Sequence, residues 1–454
     1  MEPTPPEADA TEAAPQHADA TWVSRAAVLA ALAAAVALAG VAVVAIAVHI
    51  SAQHGARSGS SLPGVSSASS PSPSPSSSPS GWTTLSLPSG FSPSGVSCPD
   101  PGDCWLLGPN QSATSVQRGG DASATTIWQY AEGEWSSASV AGPVGLNDLA
   151  CPTPVDCWAV GWLVPPAGIN TDGILQPVIE QSTGGPFAVV SSPAMTGLDE
   201  LDGVTCVGAD DCWAVGSYGS QTITQVPGSI QATETVTSHP LVEHYDGTGW
   251  TLVTVAAPAG NSGLSGVTCV SAEDCWAVGQ EYAGGVLIER YSAGAWAPVA
   301  SPQISGNPDD TLSALSCATA EDCWAVGSTG MPQTATAPTQ QSLALHYTGG
   351  TWTPVTTPGI TSANGGGLTG IACPSADDCW AVGTAEGPAW DLTGSPPPDM
   401  AATIVEHWSG GSWQAVSGPQ ADDGEPGLRG ITCPPTNDPC YAFGNDLFAA
   451  LAAP

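Results

Sequence analysis

Cys269-Val270-Ser271-Ala272-Glu273-Asp274-Cys275-Trp276-Ala277-Val278-Gly279 is the stretch that decides the fold, because it recurs. The pattern Cys-x5-Cys-Trp-Ala-Val-Gly also begins at Cys151, Cys206, Cys317 and Cys373. A variant starts at Cys98 and continues Cys104-Trp105-Leu106-Leu107-Gly108. A looser copy runs from Cys433 to Cys440-Tyr441-Ala442-Phe443-Gly444, with one extra residue between its cysteines. Successive first cysteines lie 48 to 63 residues apart, within or just above the period of propeller blades.

Working outward from Cys269, four β-like segments fill one period. They are Gly266–Cys269, Cys275–Gly279, Val286–Tyr291 and Trp296–Ala300. The short links Val270–Asp274 and Ser292–Ala295 require hairpins between sheet neighbours. The fourth-to-first link, such as Ser301–Leu312, must then cross to the next blade. Trp82–Leu87 reads as a fourth-type strand that arrives before any first strand, while the last repeat ends after three. The expected fold is all-β: a seven-bladed propeller of four-stranded blades over residues 81–454, closed by Trp82–Leu87. Closure removes the exposed edge of an open array.

All fourteen cysteines fall in the repeats, as seven close pairs. Zinc pairs sit two to four residues apart and must converge on one ion. Here five residues intervene and the pairs recur about fifty residues apart, so disulfides are the better reading. The expected bridges are Cys98–Cys104, Cys151–Cys157, Cys206–Cys212, Cys269–Cys275, Cys317–Cys323, Cys373–Cys379 and Cys433–Cys440, each stapling the hairpin between strands one and two. The tryptophans after the second cysteines (Trp105, Trp158, Trp213, Trp276, Trp324, Trp380) are expected to pack between blades rather than stack on sugars. The recurrent Asp103, Asp156, Asp211, Asp274, Asp322 and Asp378 read as turn residues bonding local amides, with a ring of calcium sites the lesser reading.

Upstream, residues 1–25 form a short tail expected in the cytoplasm. Residues 26–50 contain the unbroken apolar run Ala26–Val48, long enough to span a bilayer and longer than the core of a cleavable signal. A retained signal anchor is the favoured reading, cleavage the rival. Arg25 and Arg57 tie the positive-inside count, so orientation rests on the cysteines, which need an oxidising exterior. Residues 51–80 are rich in Ser and Pro and read as an extended disordered stalk. The expected location is the cell membrane, single-pass, with the propeller extracytoplasmic.

The chain has 41 acids, five arginines and no lysine. Residues 81–454 hold 36 acids and three arginines, a formal charge of −33. That balance repels nucleic acid and anionic lipid surfaces and suits cations or basic partners, although solubility alone also accounts for it.

The repeat resembles those of Kelch and galactose-oxidase-like propellers on Trp213-Ala214-Val215-Gly216, Tyr245-Asp246, Trp250 and Pro258. It is also similar to cysteine-bearing repeat proteins predicted from actinobacterial genomes. The resemblance implies a propeller and no particular ligand. The Kelch double glycine is single here, Ser217 following Gly216, and the cysteine pair is added.

Function is expected on the face carrying the variable links between strands two and three. The candidate binding residues there are Arg118, Asp121, Asp172, Tyr218, Gln221, Glu234, Met331, Trp390 and Asp391. No catalytic or metal-ligating residue and no cofactor is implied. A copper site needs a free cysteine with converging Tyr and His, yet His244, His346 and His407 share one third-strand slot, which Arg290 also takes. Glu180, Glu243, Glu289 and Glu406 likewise share one position, which favours structure over catalysis. The expected function is a binding module, a monomer, for an extracellular protein or glycan. The alternative is a secreted hydrolase or lyase at the mouth of the channel.

Overall fold

The structure is a computed structural model that describes residues 81–451. Excepted are 110–124, 143, 164–174, 194–196, 226–231, 257, 259, 283, 303, 305–308, 331–340, 359–365, 386–401, 420–426 and 435–438. The tail, apolar run and stalk read from the sequence lie outside the described residues. Among the described residues no helix is long and apolar enough to cross a membrane.

Seven antiparallel four-stranded sheets follow one another along the chain. Six of them cover 95–138, 144–190, 200–252, 262–298, 311–354 and 366–415. The seventh joins Leu428–Thr432, Cys440–Gly444 and Leu447–Leu451 to the N-terminal Trp82–Thr84. In blade 4 the strands are Ser262–Ser271, Asp274–Glu281, Gly285–Ser292 and Ala295–Pro298, paired in sequence order. First strands of successive blades touch, and the first strand of blade 1 touches that of blade 7, so the ring is closed. Trp82 pairs with Leu451 and Thr84 with Ala449, which places the N-terminal strand as the outer strand of blade 7.

All seven expected disulfides are present, and each closes the hairpin between first and second strands. Such a loop contributes roughly 2 kcal/mol in the chain-entropy model. The Gly of Trp-Ala-Val-Gly has a steric reason. A Cβ on Gly279 would fall on the Gly263 carbonyl, and the same carbonyl blocks Gly161, Gly216, Gly327 and Gly383 in their own blades. Second and first strands approach most closely there, beside a bulge in the first strand.

The second-strand tryptophans weld neighbouring blades. Trp158, Trp213, Trp276 and Trp324 stand edge-on to Trp250, Trp296, Trp352 and Trp413 of the next blade, with ring centroids 5.1–5.4 Å apart. Trp105 meets Phe187 in the same way. Edge-to-face pairs of this kind add about 0.5–1.5 kcal/mol beyond area burial.

The recurrent aspartates do not serve as local turn residues, and here the structure corrects the sequence reading. Amides of the hairpin turns bond Ser271 and Thr319 hydroxyls instead. Asp211, Asp322 and Asp378 lie 2.8–3.0 Å from Nε2 of His244, His346 and His407. Each imidazole stacks on its tryptophan at 4.0 Å. In blade 4 Arg290 donates to both oxygens of Asp274 and lies 4.6 Å over Trp276. Gln129 and Gln181 donate to Asp103 and Asp156 in blades 1 and 2. The cause is register. Asp and Trp are two apart on one strand and so share a face, and the third-strand residue sits directly opposite the Trp.

Candidate functional site

Most polar groups in the blades are consumed by this scaffold. Glu180, Glu243, Glu289 and Glu406 are buried opposite an alanine of the second strand. Ser192 of blade 2 donates to both oxygens of Glu243 at 2.8 and 3.1 Å. The Ala141 amide donates to Glu180. Burial pushes the carboxyls of Glu180, Glu243 and Glu289 up to about 7, so these groups take up protons as the pH falls through neutrality. They are interior fixtures and face no common opening.

The candidate site arises where the repeat breaks. Three residues before the first cysteine the blades carry Gly95, Asp148, Gly203, Gly266, Ala314, Gly370 and Gly430. A small residue is wanted there, since a Cβ on Gly370 would press on the Gly430 backbone of the next blade. Blade 2 alone places a carboxylate in the position. Asp148 accepts a 3.0 Å bond from the Val204 amide of blade 3. Next to it, Asn147 donates to the Leu201 carbonyl at 2.8 Å and to Asp202 at 3.2 Å. Burial raises Asp148 to about 7. Burial, then the charges of Glu200 and Asp148, raises Asp202 to about 7 as well.

First strands line the channel, so this acidic patch lies on its inner wall, toward the face that carries the links between strands two and three. Tyr282 stands on that face, 55% exposed, close enough that Asp202 and Glu200 add to the upward shift its phenol takes from burial. The patch can hold a proton between neighbouring carboxyls or attract an ammonium or guanidinium group. Among the described residues no three His, Cys, Asp or Glu side chains are arranged to hold a metal ion.

Beside the patch rises an element that the sequence reading took for a variable link. The second and third strands of blade 3, Asp211–Gln225 and Ala232–Tyr245, stay paired for nine residue pairs beyond Gly216, from Ser217–Pro240 to Gln225–Ala232. The equivalent strands of blade 4 stop two pairs beyond Gly279. Seven further residues extend a strand by roughly 24 Å. The base of this arm is clamped on both sides. Leu198 donates to the Gly219 carbonyl and Gly219 to Asp199, while Asn261 of blade 4 bonds Ser238 N and the Val236 carbonyl. Beyond the Gln221–Val236 pair, the described ladder joins the two arm strands to each other and, among the described residues, to no other strand.

The nine candidate binding residues fare unequally. Tyr218, Gln221 and Glu234 fall on the arm, with Tyr218 half-buried beside His239 at its base. Arg118, Asp121, Asp172, Met331, Trp390 and Asp391 lie outside the described residues. Asp148, Asn147 and Asp202 were missed. Comparing the seven residues three before each first cysteine would have exposed Asp148, the one acid in a column of Gly and Ala.

No protein-family model and no curated protein matches this chain. Among solved structures, YCF48 bound to a D1 peptide is similar at a TM-score of 0.49 with 13% identity, over 84% of this chain and 99% of that one. The extracellular domain of the hybrid two component system BT4673 from B. thetaiotaomicron is similar at 0.46 with 12% identity, over 82% of this chain. The match spans 39% of that second chain. At these scores neither likeness carries an argument, and the fold rests on the seven sheets themselves.

Proposed function

We propose that this chain is an extracytoplasmic binding propeller, held to the membrane by residues 26–50, whose arm-bearing face takes up a cationic segment of a protein partner. The observation that carries the reading is the arm of blade 3, whose described ladder beyond Gln221–Val236 pairs with no further strand. An open edge is a template for an added strand, and main-chain bonds supply the affinity. The adjoining Glu200, joined by Asp202 and Asp148 as they ionise above neutrality, favours a basic segment, in keeping with a domain of formal charge −33. Seven disulfides suit an oxidising compartment. Kinship with Kelch-type propellers belongs to the same reading, supported by the Trp-Ala-Val-Gly strands. A hydrolase or lyase working at this patch would use the same carboxyls, and their bonds to Val204 and Asn147 favour a fixed binding role.

The test is binding of the purified full chain to arrays of basic, acidic and neutral peptides and to a glycan array. A variant with Gln221–Val236 replaced by Asn-Gly, joining Ser220 to Thr237 in a two-residue hairpin, serves as control. Salt-sensitive binding to basic peptides that this variant loses is the expected result. Equal binding by both proteins, or binding to glycans alone, overturns the reading.

A further inference from the structure

In blades 2 to 7 the first strand carries a bulge at one place, four residues before the first cysteine. The bulged residue is uncharged in four of these blades, as Asn147, Ser265, Ser313 and Thr369. It is charged in two, as Asp202 of blade 3 and Arg429 of blade 7. These blades stand three apart by the shorter route, the widest separation that a ring of seven allows. The first strands line the channel, so its wall is polarised, acid on one side and base on the other.

Arg429 is exposed, and its place is the arm-side mouth. Its Nε and Nη2 donate to Asn445 Oδ1 at 3.1 and 3.0 Å. Asn445 belongs to the link between the second and third strands of blade 7, which is only the turn Asn445-Asp446 where blade 3 builds the arm. Arg290 is the contrast. Its Nε and Nη2 go to the Asp274 carboxylate and its Nη1 to the Tyr347 hydroxyl, so its charge and donors are spent inside the scaffold. For Arg429 a neutral amide oxygen stands where Arg290 has a carboxylate. It orients the guanidinium without neutralising it and leaves the Nη1 side of the fork for a further acceptor. Among the described residues no carboxylate lies within ion-pair distance of Arg429.

We propose that Arg429 holds a carboxylate of the partner's segment, across the channel mouth from the acidic patch. The segment is then amphoteric, with basic residues toward Glu200 and Asp202 and a carboxylate toward Arg429. This rests on the reading of the arm-bearing face as a peptide site and adds the polarity of what binds there. A domain of formal charge −33 repels a free anion, whereas a carboxylate carried beside basic residues arrives with its charge offset. A guanidinium fork pairs with that carboxylate by two parallel bonds.

The experiment is fluorescence-anisotropy titration of the full chain with labelled, C-amidated peptides. In these a run of lysines is joined to a glutamate, in either order, through about two to six extended serines, roughly 7–20 Å. Each peptide has a twin with glutamine for glutamate, and a further set moves the carboxylate to a free C-terminus. At one spacing the carboxylate peptide should bind roughly threefold or more tighter than its twin, the worth of a partly exposed ion pair. Arg429→Gln should abolish that advantage and leave the twin's affinity unchanged. Should Arg429→Gln fail to fold, Asn445→Asp is read instead, since it neutralises the guanidinium from within the blade. The arm-shortened variant should lose both members of a pair. Twins that bind alike at every spacing, or an advantage that survives these substitutions, overturn the proposal and leave the arm reading standing. Failure of every basic peptide to bind overturns both.

Discussion

Trp82 stands edge-on to Trp380, ring centroids 6.3 Å apart and planes at 87°, in the seat that Trp413 takes against Trp324 one blade earlier. The first residue of the first strand thus completes a contact that five other blades make with residues of their own sequence neighbours. A strand whose backbone pairs with Leu447–Leu451 and whose indole fills the joint of blades 6 and 7 is a clasp for the whole ring.

Trp82→Ala should therefore cost as much as truncating an interior tryptophan. Trp82 is 1% exposed, and such changes destabilise by about 3–5 kcal/mol. Denaturant unfolding measures it, with Trp82→Phe expected to recover part of the loss.

The slot opposite each second-strand tryptophan should accept any planar donor that reaches its aspartate. Arg290→His copies what blades 3, 5 and 6 already do and is expected to cost less than about 1 kcal/mol. Arg290→Ala leaves Asp274 half-buried without its partner and removes the stack on Trp276. A loss of about 2 kcal/mol or more is expected from the thermal midpoint. Equal losses in the two variants would show that the blades are not equivalent at this position.

Acid should stabilise the ring. Asp148, Glu180, Asp202, Glu243 and Glu289 all have folded-state values raised to about 7, above unfolded values near 4. The folded chain then binds more protons than the unfolded one between these limits, so stability falls as pH rises from about 4 to about 7. The melting temperature should rise on acidification from pH 8 to pH 5. Glu289→Gln, which has no charge to bury, should flatten that slope; an unchanged slope in this variant would count against the assignment.

The staples should act blade by blade. Replacing Cys269 and Cys275 together by serine removes a bridge that closes a short loop, and is expected to cost roughly 2 kcal/mol without opening the ring. Peptide mapping under non-reducing conditions should return the other six pairs unchanged.

Much of this was legible in the sequence because a repeat reports its own register. Cys-x5-Cys-Trp-Ala-Val-Gly located the hairpin, the staple and the blade joint, and Trp82 without a preceding first strand announced the closure. The aspartates were misread because their partners lie across a strand pair, about 16 residues away for Asp274 and Arg290, and local spacing carries no sign of that. Ser217–Gln225 reads as a loop because it is mostly polar, contains glycine and shows no apolar alternation. Asp148 is marked only by its departure from a column of Gly and Ala, a signal that recurrence by itself does not carry.

Amide hydrogen exchange across Leu447–Leu451 tests the closed ring most directly. In the full chain these amides should exchange as slowly as those of Ser342–Thr348 in blade 5, and removal of residues 81–87 should speed them roughly a hundredfold or more while blade 5 stays protected. Exchange at Leu447–Leu451 that is already fast in the full chain, or that does not respond to the removal, would contradict the account.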